Sequence, residues 1–290
     1  ATSYDRPLNF QIQRMLDAHA REVGTDRPGG VFLRDWNVLN DAQRALILSA
    51  SRALLAGSRG TLALQLPPVR ELPPIAAPFV PAGGVSEEPS RPLPFLELAY
   101  FNGVGGFSHD GREYAIYLGP GTTTPTPWTN VIAGPDFGCM VTESGLGCTW
   151  NANSQQNRLT TWQNDPVIDP ASEVIYLRDD DSGALWTPTA LPIRENDAYR
   201  ARHGQGYTVF EHNSHSISQE LTVFVPFEKD GPRDPVKICR LRLCNDSSHP
   251  RHLTVTWFCE WVLGSLREQQ VPHIVTSFDE TSGAVLARQR

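Results

Sequence analysis

Residues 217–225 read ISQELTVFV, and residues 253–261 read LTVTWFCEW. In both stretches the side chains at every second position are apolar, interrupted in the first only by Gln219. Side chains of a β-strand point alternately to its two faces, so this period of two predicts strands with one buried face. The sequences DDDSG at 179–183 and DETSG at 279–283 predict hairpin turns between strands.

Short strand-like segments of this kind continue over residues 98–290 without intervening helices. Such a pattern predicts one large β-sandwich and a mainly β fold class. The last residues, 284–290, read as a strand with no closing element after it. We therefore expect the chain to be a fragment of a larger enzyme, truncated at the C-terminal side.

Two segments precede the predicted sandwich. Residues 1–66 read as a small helical segment with two helices within residues 8–57. Asn40 and Gln43 predict a capping box at the start of the second helix, and Gly57 predicts its end. Residues 67–97 are rich in proline and predict a semi-extended linker. The first helix is indicated by apolar residues and one histidine at helical spacing: Ile12, Met15, Leu16, His19 and Val23.

The composition argues against several partners. The net charge of the 290 residues is −7 and there is no basic run, so we expect no nucleic acid partner. The longest apolar stretch, 45–55, is interrupted by Ser49, Ser51 and Arg52 and falls short of the ~20 residues that cross a bilayer. No signal peptide is apparent. We expect a soluble cytoplasmic domain without direct membrane contact.

The cysteines predict free thiols. Their number, five, is odd, and no C-x-x-C pair or matching histidine spacing is present. This pattern favours neither a disulfide framework nor a zinc site, and it is typical of a reducing compartment. The five are Cys139, Cys148, Cys239, Cys244 and Cys259.

Residues 102–170 hold the densest group of candidate functional residues. The glycines of 102–107 could suggest a nucleotide loop, but a turn and a strand follow them rather than a helix. Within residues 158–165, Arg158, Trp162, Asn164 and Asp165 combine a guanidinium, an indole, an amide and a carboxylate. Aromatic faces and paired hydrogen-bonding groups of this kind bind pyranose sugars. The alternative is that Trp162 belongs to the core and the polar groups satisfy loop backbone.

Histidines and paired carboxylates provide the other candidates. His212 and His215 have H-x-x-H spacing, which could hold a metal only across a turn. His203 could form an acid/base pair with Glu211 or Glu220, or be a satisfied core histidine. Asp165 and Asp169 could serve glycosidic cleavage, although the neighbouring prolines favour a role in shaping the loop.

Seven segments together resemble the N-terminal domain of glycoside hydrolase family 94, formerly glycosyltransferase family 36. They are residues 102–110, 127–131 (PWTNV), 142–145 (TESG), 157–165 (NRLTTWQND), 176–179 (YLRD), 202–207 (RHGQGY) and 260–264 (EWVLG).

The resemblance implies a galactose-mutarotase-like super-sandwich that, in the family, precedes a catalytic α/α barrel. The general-acid aspartate and the phosphate-binding residues belong to that barrel. We therefore expect a non-catalytic, substrate-supporting domain of a β-glucan phosphorylase or synthase, whose parent protein is compatible with an inner-membrane location. Its partners would be a β-glucan oligosaccharide, the barrel of the parent chain and a second copy in a homodimer, with no cofactor. Trp128 and His203 join the substrate-binding candidates.

Two further readings stay open. One is a glycoside hydrolase or sugar epimerase that uses a carboxylate/histidine pair of the sandwich itself. The other is a purely structural module between domains or subunits. Retention on β-glucan resin and release of reducing sugar would separate the three readings.

Overall fold

A computed structural model describes residues 10–12, 14, 15, 30–66, 89–227 and 234–289. Within it the chain divides into two compact units, residues 1–77 and 78–290. The fold is mainly β, with a sandwich preceded by a small helical segment, as the sequence predicts.

The second predicted helix starts where the sequence predicts. Helix α1 (Asp41–Ala50) has Asn40 at its N-cap, and the Asn40 and Gln43 side chains each bond the other's backbone N–H. The helix ends before Gly57, in part because the Ser49 and Ser51 hydroxyls bond carbonyls four residues back, which competes with helical bonding. A short helix α2 (Leu62–Gln65) follows. Of the first predicted helix only residues 10–12, 14 and 15 are described, and they are helical.

The second unit contains almost all of the β-structure. In chain order its strands are β1 (Gly105–Phe107), β2 (Glu113–Leu118), β3 (Thr129–Ala133), β4 (Phe137–Thr142), β5 (Gly145–Asn151), β6 (Arg158–Thr160), β7 (Glu173–Asp179), β8 (Leu185–Trp186), β9 (Tyr199–Gly204), β10 (Tyr207–Ser214), β11 (Ile217–Phe224), β12 (Ile238–Asn245), β13 (Leu253–Cys259), β14 (Trp261–Gly264), β15 (Ile274–Asp279) and β16 (Ala284–Gln289). A short helix α3 (Arg267–Gln270) lies between β14 and β15.

The strands form two main sheets and one hairpin. The first sheet has the antiparallel order β1-β2-β9-β10-β11-β12. The second has the order β13-β7-β5-β4-β3, with β6, β8 and β14 attached beside it, and β15 pairs with β16. Both predicted turns exist: Asp179 and Asp279 each accept backbone N–H bonds from within their turns, and Gly183 and Gly283 adopt positive φ.

The core lies between the two sheets. Strand β11 alternates strictly between buried and half-buried residues, so its predicted apolar face is the inner one. Leu221 and Val223 meet Leu177 and Trp186 of the opposite sheet there, all of them fully buried. The inner face of β13 is less well covered, since Val255 and Trp257 are about half exposed.

The last part of the predicted linker contacts the first sheet. Arg200 donates to the Pro94 carbonyl at 2.7 Å, and the Leu96 N–H donates to the Tyr117 hydroxyl at 2.6 Å. Asn213 bonds the Arg91 carbonyl at 3.0 Å. Residues 91–96 therefore run across the outer face of this sheet, while residues 67–88 lie outside the described part of the chain.

A buried ion pair links the two sheets. Lys237, just before β12, pairs with Glu173 of β7 and donates to Thr149 of β5 at 2.6 Å. Glu173 also accepts hydrogen bonds from the hydroxyls of Thr149 and Thr160. The carboxylate is thereby compensated by one charge and two hydroxyls inside the sandwich.

All five cysteines are free, as predicted. Cys139 and Cys148 are buried, Cys239 and Cys259 are half-buried, and Cys244 is exposed. Cys239 packs against the core with Leu241 and Leu243, which lie on the same face of β12.

Candidate functional site

Trp162 lies in the loop that follows β6 and is 41% exposed. The guanidinium of Arg158, at the start of β6, lies 5.5 Å from the centre of the indole ring. The Arg158 Nε donates to the Ser154 carbonyl at 2.8 Å, which fixes the position of this cation. Trp162 is therefore a surface aromatic, and the alternative that it belongs to the core is wrong.

A cleft of about 190 Å³ with a mixed polar and apolar lining lies beside Trp162. Its lining brings together two segments that the sequence singled out separately, residues 124–130 and 157–166. The first segment contributes Thr126, Pro127 and Thr129; the second contributes Trp162, Gln163, Asn164, Asp165 and Pro166; Met140, Thr142 and Asp169 complete the lining. Hydroxyls, amides and carboxylates surround one half-exposed indole.

Asp165 shapes the loop on which this cleft depends. Its Oδ1 accepts the backbone N–H groups of Val167 and Ile168 at 2.9 and 3.0 Å. The Asp165 carbonyl accepts the N–H of Asp169 at 3.0 Å. The predicted role of Asp165 in holding the loop is thus present, and the same residue lines the cleft. Asn164 is exposed.

A second chamber of about 440 Å³ adjoins the cleft. The two share Pro127, Pro166 and Asp169, and the second adds the side chains of Glu143 and Arg194. Arg194 is held in place by the carbonyls of Gly119 and Thr122. The chamber therefore has two acidic groups with a fixed guanidinium in its wall.

Both carboxylates of the second chamber are held in unusual surroundings. Glu143 is 3% exposed, and burial raises its pKa even though it accepts hydrogen bonds from the Thr124 hydroxyl and the Trp128 N–H. Burial also raises the pKa of Asp169, whose Oδ2 accepts from the Thr142 hydroxyl at 2.6 Å. Asp169 has a φ of +45°, a strained conformation of the kind often found at functional sites.

Glu143 is a site residue that the sequence did not predict. The TESG motif that contains it contributed only to the family resemblance, and a single buried glutamate has no local pattern that marks it. Asp169 was weighed only as a partner of Asp165. The partners that define the two residues, Thr124 and Thr142, come from other strands and loops.

A third cavity, of about 160 Å³, lies beyond Trp162. It shares Trp162 and Gln163 with the central cleft and is bounded on one side by Arg158. Its other wall is formed by residues 265–268, which run from the end of β14 into the first turn of helix α3. Arg267 in this wall pairs with Glu260. Each of the two outer cavities thus shares lining residues with the central cleft.

The structure places Trp128 away from the cleft. Its ring is half-buried against Tyr114, with the ring centres 5.8 Å apart, and it packs on a small core cluster. The backbone N–H of Trp128 donates to the Glu143 carboxylate, and the backbone carbonyl of Trp128 accepts from His203. Trp128 therefore supports the second chamber from behind and does not line any of the three cavities.

His203 is likewise an internal hydrogen-bonded residue. Nε2 donates to the Trp128 carbonyl at 3.1 Å, so Nδ1 is the acceptor for the Thr208 hydroxyl at 3.0 Å. Burial lowers the pKa of His203 to about 4, and the imidazole is neutral. The alternative reading of a satisfied core histidine fits this geometry.

No acid/base pair forms between His203 and the two glutamates considered with it. Glu211 stands opposite Arg200 in the sheet and His203 stands opposite Thr208, so the alternation directs His203 and Glu211 to opposite faces. Glu220 is directly opposite Glu211 and shares its face. Glu211 is also engaged by the guanidinium of Arg200.

The H-x-x-H pair holds a carboxylate rather than a metal. The Nε2 atoms of His212 and His215 lie 2.9 and 2.6 Å from the two oxygens of Glu195. Burial by itself raises the pKa of Glu195, but the bonds to both histidines outweigh it and lower the pKa to about 2. Within the described ranges, no group of three or more His, Cys, Asp or Glu residues is arranged to hold a metal ion.

Together these features define a two-sheet β-sandwich domain with a cleft beside Trp162. The sequence profile of the glycosyl hydrolase 94 supersandwich domain matches residues 112–290. The chain belongs to the glycoside hydrolase 94 family and contains this domain. The family resemblance and the super-sandwich fold class are thereby confirmed.

Two kinds of relatives are similar to the chain. The cyclic beta-(1,2)-glucan synthase NdvB of Rhizobium meliloti (strain 1021) is 32% identical over an alignment of 298 residues that covers 99% of this chain. The N,N'-diacetylchitobiose phosphorylases of Vibrio proteolyticus and Vibrio furnissii are 27% and 28% identical over 172 residues, or 58% of this chain.

The chain spans only part of these proteins: 10% of the synthase and 20% of each phosphorylase. Within the described part of the chain, no helix combines the length and the apolar character that crossing a membrane requires.

Proposed function

We propose that this domain binds a β-glucan and supports the substrate site of a larger glucan-processing enzyme, without carrying out the chemistry itself. The observation that carries the proposal is the convergence of Thr126, Pro127 and Thr129 with residues 162–166 on one cleft beside a half-exposed tryptophan. An indole face packs against the C–H face of a pyranose, while amides, hydroxyls and carboxylates bind its hydroxyl groups.

The lining suits a neutral polyol better than an ion. Thr126, Thr129 and Thr142 contribute hydroxyls, and Gln163 and Asn164 contribute amides, each of which can donate and accept. A phosphate would call for clustered cations, which the lining lacks, and the two carboxylates of the lining, Asp165 and Asp169, already accept hydrogen bonds from the protein. The relative named as a cyclic beta-(1,2)-glucan synthase makes a β-1,2-linked glucan the first ligand to test.

The longer relatives support a role within a multidomain enzyme. In this proposal the chemistry belongs to a catalytic α/α barrel elsewhere in the parent chain, and the sandwich extends the glucan site of that barrel. Homodimerisation through the sandwich and a cytoplasmic location are part of the same proposal. The five free cysteines support the location, because free thiols persist in a reducing compartment.

The proposal is tested by isothermal titration of the 290-residue chain with linear β-1,2-glucan oligosaccharides. Trp162→Ala is expected to weaken binding about 5-fold or more, since aromatic contacts are worth on the order of 1 kcal/mol. Trp257→Ala is the matched control, because Trp257 is 43% exposed but lies on β13, outside the cleft. Its affinity is expected to equal that of the unchanged chain.

Equal losses in the two variants, or no binding by the unchanged chain, would contradict the proposal. Release of reducing sugar from the oligosaccharides by the isolated chain would favour the hydrolase reading instead. Absence of both binding and cleavage would leave the structural module as the surviving reading.

A further inference from the structure

Three cavities adjoin one another through shared lining residues. The central cleft shares Trp162 and Gln163 with the cavity beside Arg158. On its other side it shares Pro127, Pro166 and Asp169 with the chamber that contains Glu143. Shared lining residues make these three cavities neighbours in a row, with Trp162 at one junction and Asp169 at the other.

The two smaller cavities, of about 160 and 190 Å³, are each below the ~300 Å³ at which small-molecule sites begin. The third, of about 440 Å³, falls by itself within the usual range of roughly 300–1,000 Å³. A ligand that fills the row has to be elongated, and one sugar ring cannot contact both ends of it.

We propose that the row is an extended site that accommodates at least three consecutive sugar units of a glucan chain, with the Glu143–Asp169 chamber as a distinct subsite at one end. This inference rests on the proposed function and deepens it: the ligand is an oligosaccharide rather than a monosaccharide or disaccharide.

The chemistry of the end chamber supports a sugar subsite. Glu143 and Asp169 are already bonded to the hydroxyls of Thr124 and Thr142, which orient the two carboxylates. An oriented carboxylate with free acceptor capacity can receive hydrogen bonds from a sugar hydroxyl. Ile168, 65% exposed in the wall of the same chamber, offers an apolar surface to the C–H groups of the ring.

Backbone strain is present at the junction between this chamber and the central cleft. Asp169 adopts a φ of +45° and is fixed there by the bond of its N–H to the Asp165 carbonyl. Non-glycine residues in this region of backbone conformation are strained and persist where their surroundings hold them. The strained conformation sets the Asp169 side chain at the boundary between the central cleft and the end chamber.

The experiment is a titration of the 290-residue chain with linear β-1,2-glucan oligosaccharides of two, three and five units. We expect affinity to rise at least 10-fold between two and five units. Ile168→Asp is expected to abolish most of this gain while leaving the affinity for the two-unit sugar unchanged. The side chain is at the surface, so this variant is expected to fold.

A second variant addresses the carboxylate. Glu143→Gln keeps the shape of the side chain and is expected to produce the same selective loss for longer sugars. Its folding is checked by its unfolding transition, and Ile168→Asp carries the test if that transition is lost. Asp110→Asn, in an exposed loop outside the three cavities, is the control and is expected to bind every length as the unchanged chain does.

The outcomes separate this inference from the proposed function. Equal affinity for two and five units, with a loss in Trp162→Ala, would overturn the extended site and leave sugar binding at Trp162 intact. An unchanged length dependence in both chamber variants would also overturn it. Failure to bind sugars of any length would overturn both, and would assign the row to a contact with another polypeptide segment.

Discussion

The guanidinium of Arg158 lies over the ring of Trp162, 5.5 Å from its centre, and both residues line the same cavity. A cation over an indole is worth about 0.5–1 kcal/mol at an exposed site. Because Arg158 is itself bonded to the Ser154 carbonyl, the pair holds the tryptophan in place at the surface. A surface aromatic held in this way presents its ring with little loss of conformational freedom on binding.

Trp162→Ala is expected to lower the free energy of unfolding by less than about 1 kcal/mol, because the ring is 41% exposed. Trp186→Ala is the comparison in the core, where the ring is 0% exposed, and it is expected to cost about 3–5 kcal/mol. Urea unfolding of both variants measures the difference. Similar losses would mean that Trp162 is a packing residue and would remove it from the candidate site.

The buried imidazole of His203 predicts a pH dependence of stability. Its pKa is about 4 in the folded chain and about 6.5 when unfolded. Between these values the unfolded chain binds a proton that the folded chain does not, so stability falls as the pH falls. Through this imidazole the free energy of unfolding falls by about 2 kcal/mol by pH 5 and by about 3 kcal/mol by pH 4.

The check for His203 is urea unfolding at pH 7.5 and pH 5. His203→Gln is expected to be less stable at pH 7.5 but to lose less stability on acidification than the unchanged chain. His109→Gln, at an exposed loop histidine, should retain the original pH dependence. The same difference between the two pH values in His203→Gln and the unchanged chain would show that this imidazole does not titrate on unfolding.

The ion pair between Lys237 and Glu173 is expected to be costly to break. Glu173→Gln leaves the ammonium of Lys237 buried without a counter-charge and is expected to cost about 3–5 kcal/mol. The double variant with Lys237→Met and Glu173→Leu should lose less free energy of unfolding than Lys237→Met and Glu173→Leu lose in sum as single variants. Asp110→Asn, which breaks an exposed pair with Arg112, is expected to have no measurable effect. Additive losses in the double variant would contradict a coupled pair.

The thiols are expected to differ in reactivity. Burial raises the pKa of Cys139 and Cys239 to about 12, and that of Cys148 and Cys259 to about 11, whereas Cys244 is exposed. Since the thiolate is the reactive form, titration of the native chain with a disulfide reagent at pH 8 should show one fast thiol. Unfolding should expose five. Cys244→Ser should remove the fast phase and Cys259→Ser should preserve it; two or more fast thiols would contradict this assignment.

Much of the fold could be predicted because it depends on local patterns. The alternation in residues 217–225 specified both the strand and its buried face, and the DDDSG and DETSG sequences specified turns through the side chains of Asp179 and Asp279. The Asn40 capping box was equally local. The end of helix α1 was not predicted, because the stripe of apolar residues in the sequence continues past Ala50 whereas the helix ends there. Leu46, which belongs to this stripe, is exposed.

The candidate site also combines residues that local composition marks with residues whose positions only the tertiary structure shows. Composition alone marked Trp162 and Asn164 as residues of a sugar-binding kind, because an aromatic beside polar groups in a loop has no obvious use in a core. Sequence could not place Trp128 and His203 relative to them. Both lie in recognisable motifs, yet they bond each other behind the Glu143 chamber.

The sequence by itself determined the mainly β fold class, the inner face of β11, the free state of the thiols and the family. The tertiary structure decided which loops meet. Alternation with a period of two specifies the face of the strand on which a side chain lies. The neighbour that the side chain meets across that face depends on strand order and register. The loops that carry Thr126 and Trp162 converge because β3, β4 and β5 are neighbours in one sheet and β6 pairs with β5. The pairing across the Gly204–Tyr207 turn likewise sets His203 and Glu211 on opposite faces, which no local pattern specifies.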